Sequence, residues 1–352
     1  MPVARPLEVE VRPPWPYRLP SRLGGDGTSR RRGGVLSRLL DVGGERVVVH
    51  AWQPERIRVV LRAAGCAPPT TPAALELAVE RMRFALGVDE DLSEFARAFR
   101  GDPLIGEAIH HRPWHRPRRR PWPWEALAWA VTEQLIEARR AAQIQRWIVR
   151  RWGGKLLPPD PSNGGGGPPP WLGPGPLRDV PTAAVVAGVA PAELAAYDLA
   201  PSRAIALIHC AREVAAGRVD PADTAGDRRL RRIPGIGAWT LQVLGLGGRG
   251  EPDSLPAGDL AYVKLVGVLN RLGRRATVAE VEEYFARMCF EMDQRLGEPA
   301  GCRWFLNWFD ETPREQMRVL LLAEVHRALG KRRVAGMEES LEMTAGDETA
   351  AA

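Results

Sequence analysis

Residues 230–264 read LRRIPGIGAWTLQVLGLGGRGEPDSLPAGDLAYVK, and this stretch decides how the whole chain is interpreted. A Pro-Gly-Ile-Gly segment, Pro234 to Gly237, lies between two segments with helical periodicity. Asp259 follows Gly258 at the start of the next predicted helix. We interpret the rest of the chain as the scaffold that supports this turn and this acid.

The Pro-Gly-Ile-Gly segment predicts a short helix-to-helix turn. Glycine reaches positive φ and lets another backbone come close, and Gly235 and Gly237 both offer this freedom. Backbone N–H groups at a helix N-terminus favour a phosphate, and Ile236 can pack back onto the two helices. Two simpler explanations stay open: a plain helical hairpin, and an Asp259 that only caps its helix.

Composition and charge narrow the class of protein. The 352 residues suffice for two or three packed units, and the net charge of +6 permits a polyanionic partner. The sequence has no run of about 18 apolar residues and no apolar signal segment, which predicts a cytoplasmic protein without membrane contact. The four cysteines form no C-x-x-C pair, so we expect reduced thiols and no metal site.

The order of the predicted elements indicates an α+β fold, with a small antiparallel sheet and helix followed by an all-α part. The predicted units are a disordered N-terminus at 1–20, an α+β domain at 21–112, a helical domain at 113–330 with a Gly/Pro-rich insertion at 156–178, and a disordered tail at 331–352.

Within these units, β-like runs at 35–40, 47–52 and 57–61 are separated by turn signals, and a helical pattern covers 72–86. A long helical region follows at 124–153.

A basic, proline-broken connector lies between the two predicted domains and contains Arg118, Arg119 and Arg120. It is interpreted either as a solvated linker or as an edge that contacts phosphates.

Four segments, taken in order, resemble the helix-hairpin-helix DNA glycosylases, and among them the bacterial 3-methyladenine DNA glycosylase II type. The segments are EALAWAVTEQLI (125–136), LAAYDLAPSRAIALIHCAREVAAG (194–217), IPGIGAWT (233–240) and LPAGD (255–259). The resemblance covers roughly residues 124–264 well and the N-terminal sheet weakly. It implies an N-terminal sheet-and-helix domain before two helical subdomains, with the active site in the cleft between the helical parts.

The resemblance implies that Asp259 is the catalytic aspartate. Cleavage of an N-glycosidic bond builds positive charge on the sugar, which a carboxylate stabilises while it positions the attacking water. Trp239 falls where the strand-cutting relatives carry a Schiff-base lysine, and a tryptophan forms no imine. We therefore expect hydrolysis without AP lyase activity, with Lys264 the one lysine near Asp259 in the sequence.

The resemblance also implies roles in DNA binding. Pro234, Gly235, Ile236 and Gly237 correspond to the hairpin that holds a DNA phosphate through its N–H groups, and whose carbonyls can hold a monovalent cation. No other cofactor and no metal is expected. Gln134 and Leu135 match the wedge that fills the gap left by a flipped nucleotide. The alternative for Leu135 is a buried helix residue.

Trp239 and Val243 are the predicted walls of the base pocket, because a flipped base is held by stacking. For Trp239, ordinary core packing is an equal alternative. Val243 stands where close relatives often have an aromatic residue. The predicted C-terminal helix at 317–329 lacks the tryptophan that the resemblance leads us to expect in the pocket. Trp304 or Trp308 is either its substitute or part of a small separate core.

The sequence thus predicts a monomeric, nucleoid-associated, monofunctional glycosylase that excises alkylated purines of the 3-methyladenine and 7-methylguanine type, flipped from damaged double-stranded DNA. Two alternatives remain. The first is a glycosylase for deaminated or oxidised bases, suggested by Val243. The second is a non-catalytic DNA-binding damage sensor, against which Asp259 argues because binding alone gives no reason for an acid beside phosphates.

Overall fold

The computed structural model describes residues 4–101, 106–116, 119–157, 175–251 and 254–296, with side chains up to Arg287. It shows an antiparallel sheet followed by helices, so the predicted α+β fold class is confirmed. The predictions that lie outside the described residues concern Arg118, Trp304, Trp308, the middle of the insertion and the C-terminal tail. Among the described helices, none is long and apolar enough to cross a membrane.

The N-terminal sheet has five strands in the order β1-β5-β4-β3-β2, all paired antiparallel. The strands are β1 (Leu7–Val11), β2 (Ser29–Arg32), β3 (Val35–Val42), β4 (Glu45–Glu55) and β5 (Arg58–Gly65). Alternate residues of these strands point to one face, where they form a core with helix α1 (Pro72–Leu86). The three predicted strands and the predicted helix at 72–86 are confirmed.

The N-terminus is ordered from Ala4, so the predicted disorder of residues 1–20 is wrong for residues 4–20. Strand β1 pairs with β5 from Leu7↔Ala63 to Val11↔Val59, and Tyr17 is buried in the same core. The sequence did not indicate this five-residue strand, because prolines lie on both sides of it. An edge strand tolerates nearby prolines, because one of its sides needs no hydrogen bonds.

The helical part begins with α2 (Ser93–Phe99), α3 (Gly106–His111), α4 (Pro123–Glu133) and α5 (Ala138–Trp152). After the insertion come α6 (Ala183–Ala187), α7 (Pro191–Ala195), α8 (Pro201–Ala215), α9 (Asp227–Leu230), α10 (Ala238–Leu244), α11 (Leu260–Leu269) and α12 (Val278–Leu296). A π-helical turn, Gly245–Arg249, extends α10.

These helices bury two separate cores. One core contains side chains of α4 to α10, and the other joins α2 and α3 to α11 and α12. Phe95 and Phe99 of α2, for example, share the second core with Tyr262 and Phe285. Apolar side chains of α2 and α3 therefore pack with the C-terminal helices, in contrast to the predicted domain 21–112.

The insertion starts and ends in a two-stranded ribbon of β6 (Lys155–Leu156) and β7 (Leu177–Arg178). Leu177 packs against Leu39 and Val48 on the face of the sheet opposite α1. The two ends of the insertion are thus held together at the protein surface, and residues 158–174 lie outside the described residues.

A buried charge cluster joins the sheet to the helices. Arg38 of β3 is fully buried, and its Nη2 donates to Glu125 Oε2 of α4 at 2.8 Å and to Asp179 Oδ1 at 3.0 Å. Arg120 donates to Asp26 Oδ2 at 2.8 Å and to Glu125 Oε1 at 3.3 Å. Buried charges need such partners, since an isolated one costs several kcal/mol. The five residues therefore fix how α4 sits against the sheet.

Glu125 makes the stability of the protein depend on pH. Burial raises the pKa of its carboxyl from 4.5 to about 7, so between these values the folded protein holds a proton that the unfolded chain has released. The contribution of Glu125 to the free energy of unfolding then falls as the pH rises through this window. We expect Glu125→Gln to remove this decline, which reaches up to about 1.4 kcal/mol per pH unit.

Urea unfolding at pH 5, 6, 7 and 8 measures this effect, with the exposed Glu76→Gln as the matched control. Stability curves with the same slope against pH in wild type and Glu125→Gln would contradict the prediction.

Candidate functional site

The Pro-Gly-Ile-Gly segment forms a tight turn between α9 and α10, which we call the hairpin turn (residues 231–237). Ile236 donates its N–H to Ile233 O at 3.0 Å, and its side chain is buried in the helical core with Leu230 and Leu241. Ile236 therefore pins α9 and α10 together, while the flanking Gly235 remains exposed.

The two glycines of the hairpin turn have different backbone requirements. Gly235 has φ +90°, which side chains rarely tolerate. Gly237 has φ −105° and is the N-cap of α10, so it does not use the positive φ that glycine allows. A Cβ on Gly237 would meet nothing within 4 Å, which leaves open space in front of the first turn of α10.

Asp259 lies at the start of α11, where its carboxylate is held through both oxygens. Oδ1 accepts a hydrogen bond from the N–H of Ala261 at 2.8 Å, which makes Asp259 the N-cap of α11. Oδ2 accepts a hydrogen bond from Trp239 Nε1 at 3.2 Å. The capping interpretation is therefore correct, but it accounts for only one of the two oxygens of this half-buried side chain.

Trp239 connects the hairpin turn to the acid. It is the second residue of α10, it is half-buried, and it lies outside the buried clusters of the described residues. Val243 follows one helical turn later and is also half-buried. Trp239 is thus not an ordinary core residue, and a role of both residues as pocket walls stays a prediction.

The predicted helix at 124–153 is broken at residues 134–137, which we call the α4–α5 turn. Leu135 has φ 54°, and its exposed fraction of 102% means that nothing covers it. The alternative of a buried helix residue is therefore wrong. Helix α4 ends at Glu133, because the next residue, Gln134, has a non-helical ψ of 125°. The positive φ of Leu135 then prevents the helix from resuming at this residue.

Gln134 points away from Leu135 and towards the hairpin turn. Its side-chain Nε2 donates to Gly235 O at 2.7 Å and to Thr240 Oγ1 at 2.8 Å. Its backbone carbonyl accepts a hydrogen bond from Arg203 Nη1 at 2.9 Å. The sequence interpretation grouped Gln134 with Leu135 as one wedge. In the structure Gln134 instead holds the exposed Leu135 at a set distance from the hairpin turn.

The basic connector does not present its arginines as expected. Arg119 is buried, pairs with Glu90 and lies 4.7 Å from the centre of the Phe84 ring. Arg120 belongs to the buried charge cluster, and its N–H donates to Gly247 O at 2.8 Å. The predicted phosphate contacts of these two residues are wrong, because acidic side chains within the fold neutralise both guanidinium groups.

Two other arginines offer positive charge beside the hairpin turn. Arg231 and Arg232 immediately precede Ile233 and are both exposed, and neither guanidinium has an ion-pair partner among the described residues. Their position at the start of the motif, as LRRIPGIG, was the available signal in the sequence. Within the part of the chain that the structure describes, no group of three or more His, Cys, Asp or Glu side chains could hold a metal ion.

Comparison with known proteins gives a consistent fold. No protein-family model matches the chain. The chain is 21% identical over 255 residues to DNA-3-methyladenine glycosylase of Bacillus subtilis, a match that covers 71% of this chain and 80% of that protein.

Two solved structures extend the comparison. The 3-methyladenine DNA glycosylase from Archaeoglobus fulgidus superposes with a TM-score of 0.66 at 18% identity, covering 90% of this chain and 98% of that one. The 8-oxoguanine glycosylase/lyase of Clostridium acetobutylicum in its apo form gives 0.58 at 14% identity, covering 88% and 97%. The chain therefore has the fold of the helix-hairpin-helix DNA glycosylases, and the resemblance seen in the sequence is confirmed at that level.

The two hairpin glycines allow fold and binding to be tested separately. We expect Gly235→Ala to destabilise the protein by roughly 1–2 kcal/mol, because alanine resists positive φ. Gly237→Ala should leave the free energy of unfolding nearly unchanged, since its φ is ordinary and its Cβ has space. If a phosphate approaches α10 here, Gly237→Ala should still weaken duplex binding. Urea unfolding and fluorescence-anisotropy titration measure the two effects, and wild-type DNA affinity in Gly237→Ala would contradict the role of the hairpin turn.

Proposed function

We propose that this protein is a DNA glycosylase that hydrolyses the N-glycosidic bond of alkylated purines, with Asp259 as its catalytic carboxylate. The observation that carries the proposal is the Asp259 carboxylate, which is held at the start of α11 by a hydrogen bond from Trp239 of α10, the helix that follows the hairpin turn. The similar proteins named for 3-methyladenine support the choice of alkylated purines.

The chemistry requires little more than one acid. As the bond between C1′ and the base nitrogen breaks, its electrons leave with the base and positive charge builds on the sugar. Asp259 stabilises that charge and orients a water, whose oxygen bonds to C1′ while one of its protons passes to the carboxylate. An alkylated purine already carries positive charge, so the base departs without a general acid, unlike the leaving group of most sugar hydrolases.

The surrounding residues then hold the DNA. The N–H groups at Gly235 and Gly237 bind a backbone phosphate, and Arg231 and Arg232 add positive charge beside it. The exposed Leu135 enters the base stack and fills the gap left by the flipped nucleotide.

Trp239 and Val243 would line the pocket for the flipped base, because an aromatic face stacks on any purine and most strongly on a cationic one. A monovalent cation at the hairpin carbonyls also stays a prediction. Gly235 O already accepts a hydrogen bond from Gln134 Nε2, which leaves one of its two lone pairs for such a cation. The monomeric state and the cytoplasmic, nucleoid-associated location stay predictions as well.

Release of free base tests the proposal directly. Wild type and Asp259→Asn are incubated with duplexes that carry 3-methyladenine, 7-methylguanine, a deaminated base or 8-oxoguanine, and the released bases are quantified. We expect release of the alkylated purines, with a single-turnover rate at least about 100-fold lower in Asp259→Asn.

The outcomes of this panel separate the alternatives. Release of only a deaminated or oxidised base would favour the second substrate class, to which the weaker pocket wall at Val243 points. Lesion-independent binding without any base release would favour a DNA-binding sensor. Full activity in Asp259→Asn would refute the assigned mechanism even if the reaction is correct.

The absence of lyase activity is part of the same proposal. Trp239 cannot form an imine, so we expect borohydride to trap no covalent complex between wild type and damaged duplex. Lys264, on α11 five residues after Asp259, is the nearest lysine in the sequence. If a trapped complex forms and Lys264→Arg abolishes it, the protein is a bifunctional enzyme and this prediction is wrong.

A further inference from the structure

The hydrogen bond between Trp239 Nε1 and Asp259 Oδ2 supports a further role for Trp239, and this inference rests on the proposed function. We infer that Trp239 is a positioning residue, whose indole N–H fixes the plane of the Asp259 carboxylate for the reaction. This role is separate from any stacking of the ring on a flipped base.

The geometry gives each carboxylate oxygen one donor. The N–H of Ala261 holds Oδ1 at 2.8 Å, and Trp239 Nε1 holds Oδ2 at 3.2 Å. A single donor would leave the carboxylate free to turn about its last bond, because this torsion is broad for aspartate. Two donors from separate helices define the plane, so the charge need not reorient when the sugar becomes cationic.

The indole suits this task for chemical reasons. Its N–H donates and accepts nothing, so it favours the ionised carboxylate, which is the stronger acceptor. The side chain has two torsions, and its backbone is part of α10, whose neighbouring Thr240 is held by Gln134 Nε2 at 2.8 Å. Phenylalanine would keep an aromatic face, although a smaller one, and would lose the donor. Trp239→Phe therefore separates positioning from stacking.

A matched control lies in the same helical part. Trp124 is also partly buried, and its Nε1 donates to Pro181 O at 3.0 Å, outside the candidate site. Trp124→Phe removes the same atoms and one indole hydrogen bond, in this case to a neutral backbone carbonyl. Any general cost of this substitution to the fold should appear equally in the two variants, as measured by urea unfolding.

The first test compares single-turnover base release at saturating protein. We expect Trp239→Phe to lower the rate about 10-fold to 100-fold, as for loss of a hydrogen bond to a charged group, with nearly unchanged affinity for the lesion duplex. Trp124→Phe should keep the wild-type rate. An unchanged rate in Trp239→Phe, or a loss that arises from weaker duplex binding alone, overturns the inference.

The second test isolates the carboxylate. Duplexes carry either a neutral tetrahydrofuran or a protonated pyrrolidine in place of the sugar, and the ratio of their dissociation constants reports the preference for a cation. We expect Trp239→Phe to reduce this preference about 10-fold and Asp259→Asn to remove it. In the Asp259→Asn background, Trp239→Phe should change nothing further; an equal effect in both backgrounds would mean that the indole acts independently of the acid.

Different results would overturn the glycosylase function and the positioning role of Trp239. Wild type that releases no base from any duplex and shows no cation preference overturns the glycosylase function and this inference together. Wild type that releases base, with Trp239→Phe equal to it in rate and in cation preference, overturns only the positioning role.

Discussion

The buried guanidinium of Arg38 is the constraint on which the arrangement of the molecule depends. It connects β3 of the sheet to Glu125 in the first turn of α4 and to Asp179 after the insertion. A charge at this depth is tolerable only with these acids in contact, because an unpaired one would cost several kcal/mol. The contact therefore sets the position of α4 against the sheet more narrowly than apolar packing alone.

Because Glu125 fixes the start of α4, this helix also determines where its other end lies, next to the candidate site. The helix ends at the α4–α5 turn, where the side chain of Gln134 bonds to Gly235 O and Thr240 Oγ1. Leu135 is thereby held exposed beside the hairpin turn. The next contact runs from Trp239 of α10 to Asp259 of α11. The domain junction is thus connected to the carboxylate by hydrogen bonds at the ends of α4 and α10 and by the backbone of these helices between them.

The candidate site combines rigid backbone with an accessible acid. Ile236 is buried and anchors the hairpin turn, whereas Gly235 and the space before Gly237 remain open. Asp259 is half-buried, so its carboxylate is shielded on the protein side and accessible on the other. Preorganised charge of this kind acts most strongly where the surrounding groups need not move during the reaction.

Local patterns in the sequence determined much of the secondary structure and one motif of the candidate site. Alternating apolar residues and turn signals predicted three strands, the apolar periodicity of residues 72–86 predicted α1, and the Gly-Ile-Gly turn with Asp259 was visible as a motif. Such features depend on neighbours in the chain, so the sequence contains them directly. The tertiary structure decided the rest: the ion pairs that bury Arg119 and Arg120, the positive φ that exposes Leu135, and the indole donor of Trp239 on Asp259. Each of these depends on contacts between residues far apart in sequence, whose pairing is set only when the helices and the sheet pack together.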